Sequence, residues 1–234
     1  MLCSDYQSSS SFFQTYNPEY YHKLLKNNGF AISKILHTRI NKNCSNYLNE
    51  KYASELQFEA KNLKVRSFNK KNFYKDLEHL RDIFNDAFSE NWHFLPVNKE
   101  EYLFSAKYLG LVTPPELIQF IEYKDEPVAA VHFALNINPL IKKFNGRAGL
   151  IKYFNLMKER KKISDVIIFA VGAKKAFRNS KVTQLLFNAA VNTARKFDIL
   201  QTTWMYDDNN IVISLAEKLG LKRGKEFIIY FKNV

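Results

Sequence analysis

The sequence predicts an α/β protein in which strands and amphipathic helices alternate along most of the chain. Three patterns carry this prediction. Residues 166–171 form an unbroken apolar run that is typical of a buried strand. Residues 72–88 repeat apolar side chains at helical spacing, and residues 117–135 contain two apolar strands around a polar turn. Apolar residues make up 46% of the 234, which is enough for a globular core.

The first 60 residues are predicted to hold a helix, a strand and a linker helix. The helix extends from Asn17, a preferred N-cap residue that is followed by proline, to Gly29, which favours a helix end. A strand over about 31–40 follows, and residues 41–62 have a weak helical period. Because the same plan recurs from Asn209 to the strand 227–231, we interpret the two segments as an internal repeat.

From residue 63 to the C-terminus the elements alternate in a regular order. The predicted strands are 63–67, 117–123, 128–135, 166–171, 202–206 and 227–231. The predicted helices are 72–88, 98–109 with Asn98 as its N-cap, one beginning near 182, and one from 209 to 219. A long basic connection, 138–163, precedes the strand at 166.

Residues 164–220 resemble the acyl-coenzyme-A-binding half of the GNAT superfamily of N-acetyltransferases. The turn of that family is Arg/Gln-x-x-Gly-x-Gly/Ala; here Arg178 is present, while Lys181 and Thr183 stand where the two small residues belong. The order of elements from residue 63 is also that of the family. The resemblance implies a mixed, mostly antiparallel central sheet of about six to seven strands flanked by helices, with an N-terminal helix–strand extension.

A closer resemblance is to a bacterial subfamily of longer, uncharacterised GNAT-like proteins. The motifs that carry it are 83–96, 136–138, 145–147 and 203–209. In those relatives a first GNAT-like unit precedes a second. We therefore expect residues 1–60 to be the remnant of a first unit plus a linker helix, residues 61–234 to be a GNAT-like acyltransferase domain, and the chain to be shortened at its N-terminus.

The resemblance implies that acetyl-CoA or another acyl-CoA is the substrate that donates the acyl group. The residues that would hold it are Val171, Gly172, Ala173, Arg178, Asn179, Ser180, Lys181, Val182, Thr183 and Asn209. Backbone N–H groups at a helix start favour phosphate. Lys181 either crowds that phosphate or pairs with it. Two alternatives stay open: the helix start binds nothing, and Asn209 is only an N-cap.

The sequence offers weak candidates for a catalytic base. The tyrosine that many GNAT enzymes place seven residues after the asparagine is Ala216 here, and Gln201 and Asn136 stand where the related subfamily has carboxylates. The remaining candidates are Asp207, Asp208, Tyr206, Glu122 and His132. His132 also fits a core position, and Asp207 and Asp208 also fit helix caps. No metal-ligand spacing is present.

The net charge of +12 favours polyanionic partners. These are nucleic acid, an anionic membrane surface, an acidic acyl carrier protein or a polyphosphate cofactor; a compositional bias of the genome explains the charge equally well. Residues 142–162 carry eight Lys and Arg against Glu159 alone. No RNA-binding motif accompanies them, so nucleic acid is a partner by charge alone. Neither a membrane span nor a signal peptide is expected, and with only two distant cysteines a cytoplasmic location is predicted.

Three functions stay open from the sequence. The first is an acyltransferase that acts on a small-molecule or peptide amine, with acyl-CoA or an acidic acyl carrier protein as donor. The second is a catalytically lapsed GNAT-like binding or scaffold protein, whose N-terminal tail is covered by self-association as a homodimer or by a partner. The third is a basic RNA-associated protein.

Overall fold

The computed structural model describes residues 1–52, 54, 56, 61–106, 109–147, 149–178 and 180–233, with the side chain of Leu111 left out. The strands are β1 (Ala31–Asn41), β2 (Leu63–Ser67), β3 (Ile118–Tyr123), β4 (Glu126–Leu135), β5 (Asp165–Ala173), β6 (Ile199–Thr202), β7 (Met205–Tyr206) and β8 (Lys222–Phe231). The helices are α1 (Tyr21–Asn27), α2 (Cys44–Lys51), α3 (Phe73–Phe88), α4 (Lys99–Ala106), α5 (Leu109–Val112), α6 (Asn138–Lys142), α7 (Leu150–Glu159), α8 (Lys181–Ala194) and α9 (Asn210–Lys218).

The chain divides into two compact units. The first unit is Met1–Tyr47, Asn136–Ile167 and Phe197–Val234, and the second is Leu48–Leu135 and Ile168–Lys196. β5 has residues in both. The proposed division at residue 60, with a remnant of an earlier unit before it, stays a prediction.

In the first unit the strand order is β5-β6-β1-β7, and β8 pairs with β1. β1 and β8 run antiparallel from Ala31 opposite Phe231 to Ile40 opposite Lys222. They are the strands of the two segments that we interpreted as a repeat, and the helices before them, α1 and α9, are each followed two residues later by a glycine with positive φ, Gly29 and Gly220. Burial of Leu2, Leu36 and Phe227 gives this unit a small apolar cluster.

In the second unit the strand order is β2-β3-β4-β5. β2, β3 and β4 pair antiparallel. The two-residue turn between β3 and β4 is Lys124-Asp125, both with positive φ, as twisted hairpins require. β4 is buried along nearly its whole length, and α3 packs Leu77, Leu80 and Ile83 into the core with Phe120.

The structure confirms the α/β class and the position of nearly every predicted strand and helix. One N-terminal prediction is wrong: α1 begins at Tyr21, and Asn17 is not its cap. The Asn17 amide instead accepts from the Leu2 N–H at 2.8 Å and donates to the Leu2 carbonyl at 3.2 Å. A buried backbone segment needs partners for its polar groups, and Asn17 supplies them for Leu2.

The described residues form eight strands, where about six to seven were predicted. The strand predicted at 202–206 is in fact two, because Thr203 and Trp204 interrupt it between β6 and β7. The predicted turn at 124–127 is also shorter, since Glu126 and Pro127 already belong to β4. Within the described parts of the chain, no helix is both long and apolar enough to cross a membrane.

Candidate functional site

The turn between β5 and α8 and the first residues of α8 form what we call the donor segment, residues 171–183. Ser180 caps α8, because its hydroxyl accepts from the Val182 N–H at 3.2 Å. Lys181 is the first helical residue and its side chain is exposed. No acidic residue occupies the first turn, so the positive end of the helix dipole is not offset there. Asn179, predicted to contribute, lies outside the described residues.

Two basic residues of the donor segment are held by residues of the α3 end. Arg178 donates to Glu90 Oε2 at 2.7 Å and to the Ala87 carbonyl at 2.8 Å. The Lys175 backbone N–H donates to Asp86 Oδ2 at 2.6 Å. The hydrogen bond from Arg178 and the charge of Lys175 hold the pKa of Glu90 below its usual value. An incoming phosphate would therefore compete with Glu90 for Arg178.

Gly172 has a packing role in the second unit. A Cβ added there would lie 2.8 Å from the Cβ of Ala87 and 3.7 Å from the Phe84 ring. Only glycine lets α3 approach β5 this closely. This contact explains the glycine without a bound cofactor.

The residues that follow β7 either cap α9 or pair with basic side chains. Asn209 does cap α9, accepting from the Val212 N–H at 3.3 Å. Asp207 accepts from Arg223 at 2.8 Å and lies 3.2 Å from His37 Nδ1. Asp208 pairs with Lys34 at 3.0 Å, which lowers its pKa. Asn209 is therefore the N-cap of α9, and the two aspartates pair with basic residues of β1 and β8.

Three more candidate bases make contacts that fit a structural role: Tyr206, Glu122 and His132. Tyr206 lies opposite Leu36 in the pair β1–β7 and packs on the cluster around Leu2. Glu122 accepts from Arg66 Nε at 2.5 Å, and the same guanidinium makes a two-pronged contact with buried Asp76.

His132 is a core residue that cannot act as a base near neutral pH. It is 1% exposed, and its Nε2 lies 3.0 Å from the Thr113 hydroxyl. Burial lowers the pKa of His132 to about 3, so the ring is neutral near pH 7 and is a weak base. The core alternative stated for this residue accounts for all of these contacts.

A polar cluster in the first unit was missed by the sequence reasoning. Its centre is the half-buried carboxylate of Asp165, at the start of β5. Gln201 Nε2 donates to both carboxylate oxygens at 2.9 Å, and Asn136 Nδ2 donates to Oδ2 at 2.7 Å. Burial raises the pKa of Asp165, although the two amide hydrogen bonds oppose that shift.

The N-terminal segment 10–12 contacts this cluster. The Ser11 hydroxyl donates to Gln201 Oε1, and the Phe12 N–H donates to Asn136 Oδ1 at 3.0 Å. Asn138 Nδ2 donates to the Ser10 carbonyl at 2.7 Å. The outer oxygens of both amides thus accept from this chain's own residues, while their nitrogens face Asp165.

A signal for the cluster was present in the sequence. Asn136 and Gln201 were noted as two amides in place of carboxylates, and Asp165 is the polar residue directly before the apolar strand at 166. What the sequence did not show is that the three converge, because they lie 29 and 36 residues apart. Among the described residues, no group of three or more His, Cys, Asp or Glu side chains is placed to hold a metal ion.

Comparisons with known proteins give two curated relatives of low identity. YghO of Escherichia coli is 27% identical over 183 residues, which cover 74% of this chain and 47% of YghO. The bacterial ceramide synthase of Caulobacter vibrioides is 26% identical over 177 residues, which cover 72% of this chain and 46% of that protein. The chain spans about half the length of the curated relatives it matches. No family model matches it.

Solved structures give the fold. A GCN5-related N-acetyltransferase from Sphaerobacter thermophilus matches with a TM-score of 0.56 at 10% identity, over 90% of this chain and 55% of that one. A tandem GNAT protein from the clavulanic acid biosynthesis pathway matches with a TM-score of 0.51 at 7% identity, over 94% of this chain and 60% of that one. The order of strands and helices and these two likenesses agree, and the chain has the GNAT fold.

Proposed function

We propose that the chain is an N-acyltransferase, which moves an acyl group from acetyl-CoA or another acyl-CoA to an amine. The observation that carries the proposal is the donor segment, where Lys175 and Arg178 precede α8 in the sequence and Lys181 is its first residue. The phosphates of coenzyme A are anionic, and a helix N-terminus with basic side chains attracts such groups. The GNAT fold supports the same reading, since it is the fold of enzymes that position a thioester.

Lys181 is compatible with this role. As the first residue of α8 it has helical backbone angles, which any residue adopts, and it is not among the residues with positive φ. The lysine therefore costs the turn no backbone strain. We propose that its exposed ammonium contacts phosphate in place of the close backbone approach that a glycine allows.

Within the first unit, Asp165 is the carboxylate that we propose as a proton acceptor. The amine nitrogen forms a bond to the thioester carbonyl carbon, the C–S bond breaks, and coenzyme A leaves as a thiolate. The nitrogen loses a proton in the process, and a carboxylate with a raised pKa accepts a proton more readily than an ordinary aspartate does. Asn136 and Gln201 act as positioning residues, because their amide groups hold both carboxylate oxygens in place.

The acceptor is proposed to be a small-molecule or peptide amine, and a lipid amine belongs in the same test. A ceramide is an N-acylated long-chain amino alcohol, so the name of the Caulobacter relative describes amide formation on such an amine. An acidic acyl carrier protein as donor, a cytoplasmic location and a homodimer stay predictions.

A second candidate function is a GNAT-fold binding protein without catalysis. Two observations favour it: Ser11 and Phe12 donate to the outer oxygens of Gln201 and Asn136, and Glu90 pairs with Arg178. In that case the polar cluster around Asp165 only holds the N-terminal segment in place through hydrogen bonds. The two functions differ in whether Asp165 is needed for turnover or only for stability.

The experiment that separates them measures turnover. The protein is incubated with acyl-CoAs of two to sixteen carbons and a panel of amines that includes a long-chain amino alcohol, and the release of free thiol is followed. Amine-dependent release that is lost in Asp165→Asn supports the acyltransferase. Saturable binding of acyl-CoA with no release for any pair supports the binding protein instead.

A further inference from the structure

Helix α7 exposes large apolar side chains to water. Leu150, Ile151 and Phe154 are 81%, 79% and 69% exposed, and Leu156 is the buried residue of the helix. Successive residues of a helix are about 100° apart, so these three side chains lie within about 100° on one face. Tyr153, nearly half exposed, adjoins them. We call α6, α7 and the residues around them, 138–147 and 149–163, the basic apolar surface.

Basic residues are concentrated in the chain segments on either side of this apolar face. Lys142, Lys143, Arg147, Lys158 and Lys161 are exposed. Glu159 is the one acid in the sequence from 142 to 162, and it pairs with Lys162 at 2.9 Å. The surface therefore keeps a strong excess of positive charge after its acid is neutralised.

The loop before α7 is held by a lysine of that helix. Lys152 Nζ donates to the Phe144 carbonyl at 2.8 Å and to the Arg147 carbonyl at 2.9 Å. The same ammonium lies 5.7 Å from the centre of the Phe144 ring. These contacts hold the loop 144–147 against α7.

We propose that the basic apolar surface docks on a bilayer that contains anionic lipids. Exposed Leu, Ile and Phe side chains bordered by Lys and Arg are the combination by which amphipathic helices lie in a membrane interface. Anionic headgroups attract the cations, and the apolar side chains enter the acyl boundary. Nucleic acid would match the charge and leave Leu150 and Ile151 in water. The surface binds lipid whether or not the chain is an N-acyltransferase.

Vesicle flotation tests the proposal on the full chain. We expect the protein to float with vesicles of mixed phosphatidylglycerol and phosphatidylcholine, and not with phosphatidylcholine alone. The triple variant L150S/I151S/F154S removes the apolar contribution, and K142E/K143E/K161E reverses the charge. Each is expected to lower the vesicle partition coefficient by roughly tenfold or more. All six side chains are exposed, so the melting temperature should stay close to that of the wild type.

A matched control is Ile211→Ser on α9, since Ile211 is 75% exposed and lies in the same unit. It should float like the wild type. Partition that is the same with and without anionic lipid, or that is unchanged in both triple variants, overturns the proposal. Lysine-dependent binding of single-stranded RNA without any binding of vesicles overturns it as well, and assigns the surface to nucleic acid.

Discussion

At the scale of single residues, Asp165 changes how two sequence features are interpreted. Gln201 and Asn136 stand where the related subfamily has carboxylates, and an amide cannot serve as a base. In the structure both amides donate to one remaining carboxylate. Because each is a donor toward Asp165, the cluster holds a single negative charge instead of three that would repel one another.

The raised pKa of Asp165 gives a prediction with a definite sign. The folded protein binds this proton more readily than the unfolded chain, so the free energy of unfolding falls as pH rises from the ordinary pKa of aspartate through the raised one. Asp165→Asn removes this dependence, and we expect a flatter stability profile across that window. The measurement is urea unfolding at a series of pH values.

Asp165→Asn also distinguishes a structural role of this carboxylate from a catalytic one. If Asp165 accepts the proton, kcat/KM of the wild type rises with pH through the raised pKa, and Asp165→Asn lowers it by about 10²-fold or more. Asp198→Asn, an exposed carboxylate of the first unit, should leave the rate unchanged. Wild-type turnover in Asp165→Asn would exclude the carboxylate as the base.

Glu90 provides a test of the donor segment. Its carboxylate holds Arg178 and repels phosphate, so Glu90→Gln should tighten acyl-CoA binding. Because the pair is exposed, we expect a gain of about two- to fivefold that shrinks at high salt. Calorimetry at two salt concentrations measures it. Glu78→Gln, which removes an exposed ion pair with Lys99 instead, should change nothing, and weaker binding in Glu90→Gln would show that Arg178 needs Glu90 for its position.

At the scale of elements, the close packing of α3 against β5 depends on one glycine, Gly172. A Cβ on Gly172 would lie 2.8 Å from Ala87 Cβ, closer than packed carbon atoms approach. We expect Gly172→Ala to lower the free energy of unfolding by about 1–3 kcal/mol, as overpacking usually does. Gly110→Ala meets nothing within 4 Å and should be neutral or slightly stabilising. Thermal unfolding of both variants checks this; equal stability would mean that α3 and β5 have room to separate.

Elements were predictable where the local signal was strong. α3 has apolar side chains at helical spacing, and Asn98, Ser180 and Asn209 each accept from a backbone N–H at or beside a helix start. The start of α1 was not predictable in this way. Asn17 has the right residue type for a cap, yet a contact with Leu2, 15 residues away, uses its amide instead.

At the scale of the whole molecule, segments distant in sequence form each compact unit. The first unit joins 1–47, 136–167 and 197–234. The pairing of β1 with β8 and the meeting of Asn136, Asp165 and Gln201 both depend on that arrangement. Residue patterns depend on neighbours within a few turns of chain, so the fold class and the strand–turn–helix of β5 and α8 were predictable from sequence, while the Asp165 cluster was not.

The central claim, that the donor segment binds acyl-CoA, is tested most directly by calorimetric titration of the full chain with acetyl-CoA and longer acyl-CoAs. ATP serves as the control for phosphate binding alone, and R178A/K181A as the variant. We expect saturable binding that needs the pantetheine arm and weakens by about tenfold or more in the variant. No binding up to millimolar acyl-CoA, or equal binding by the variant, would contradict it.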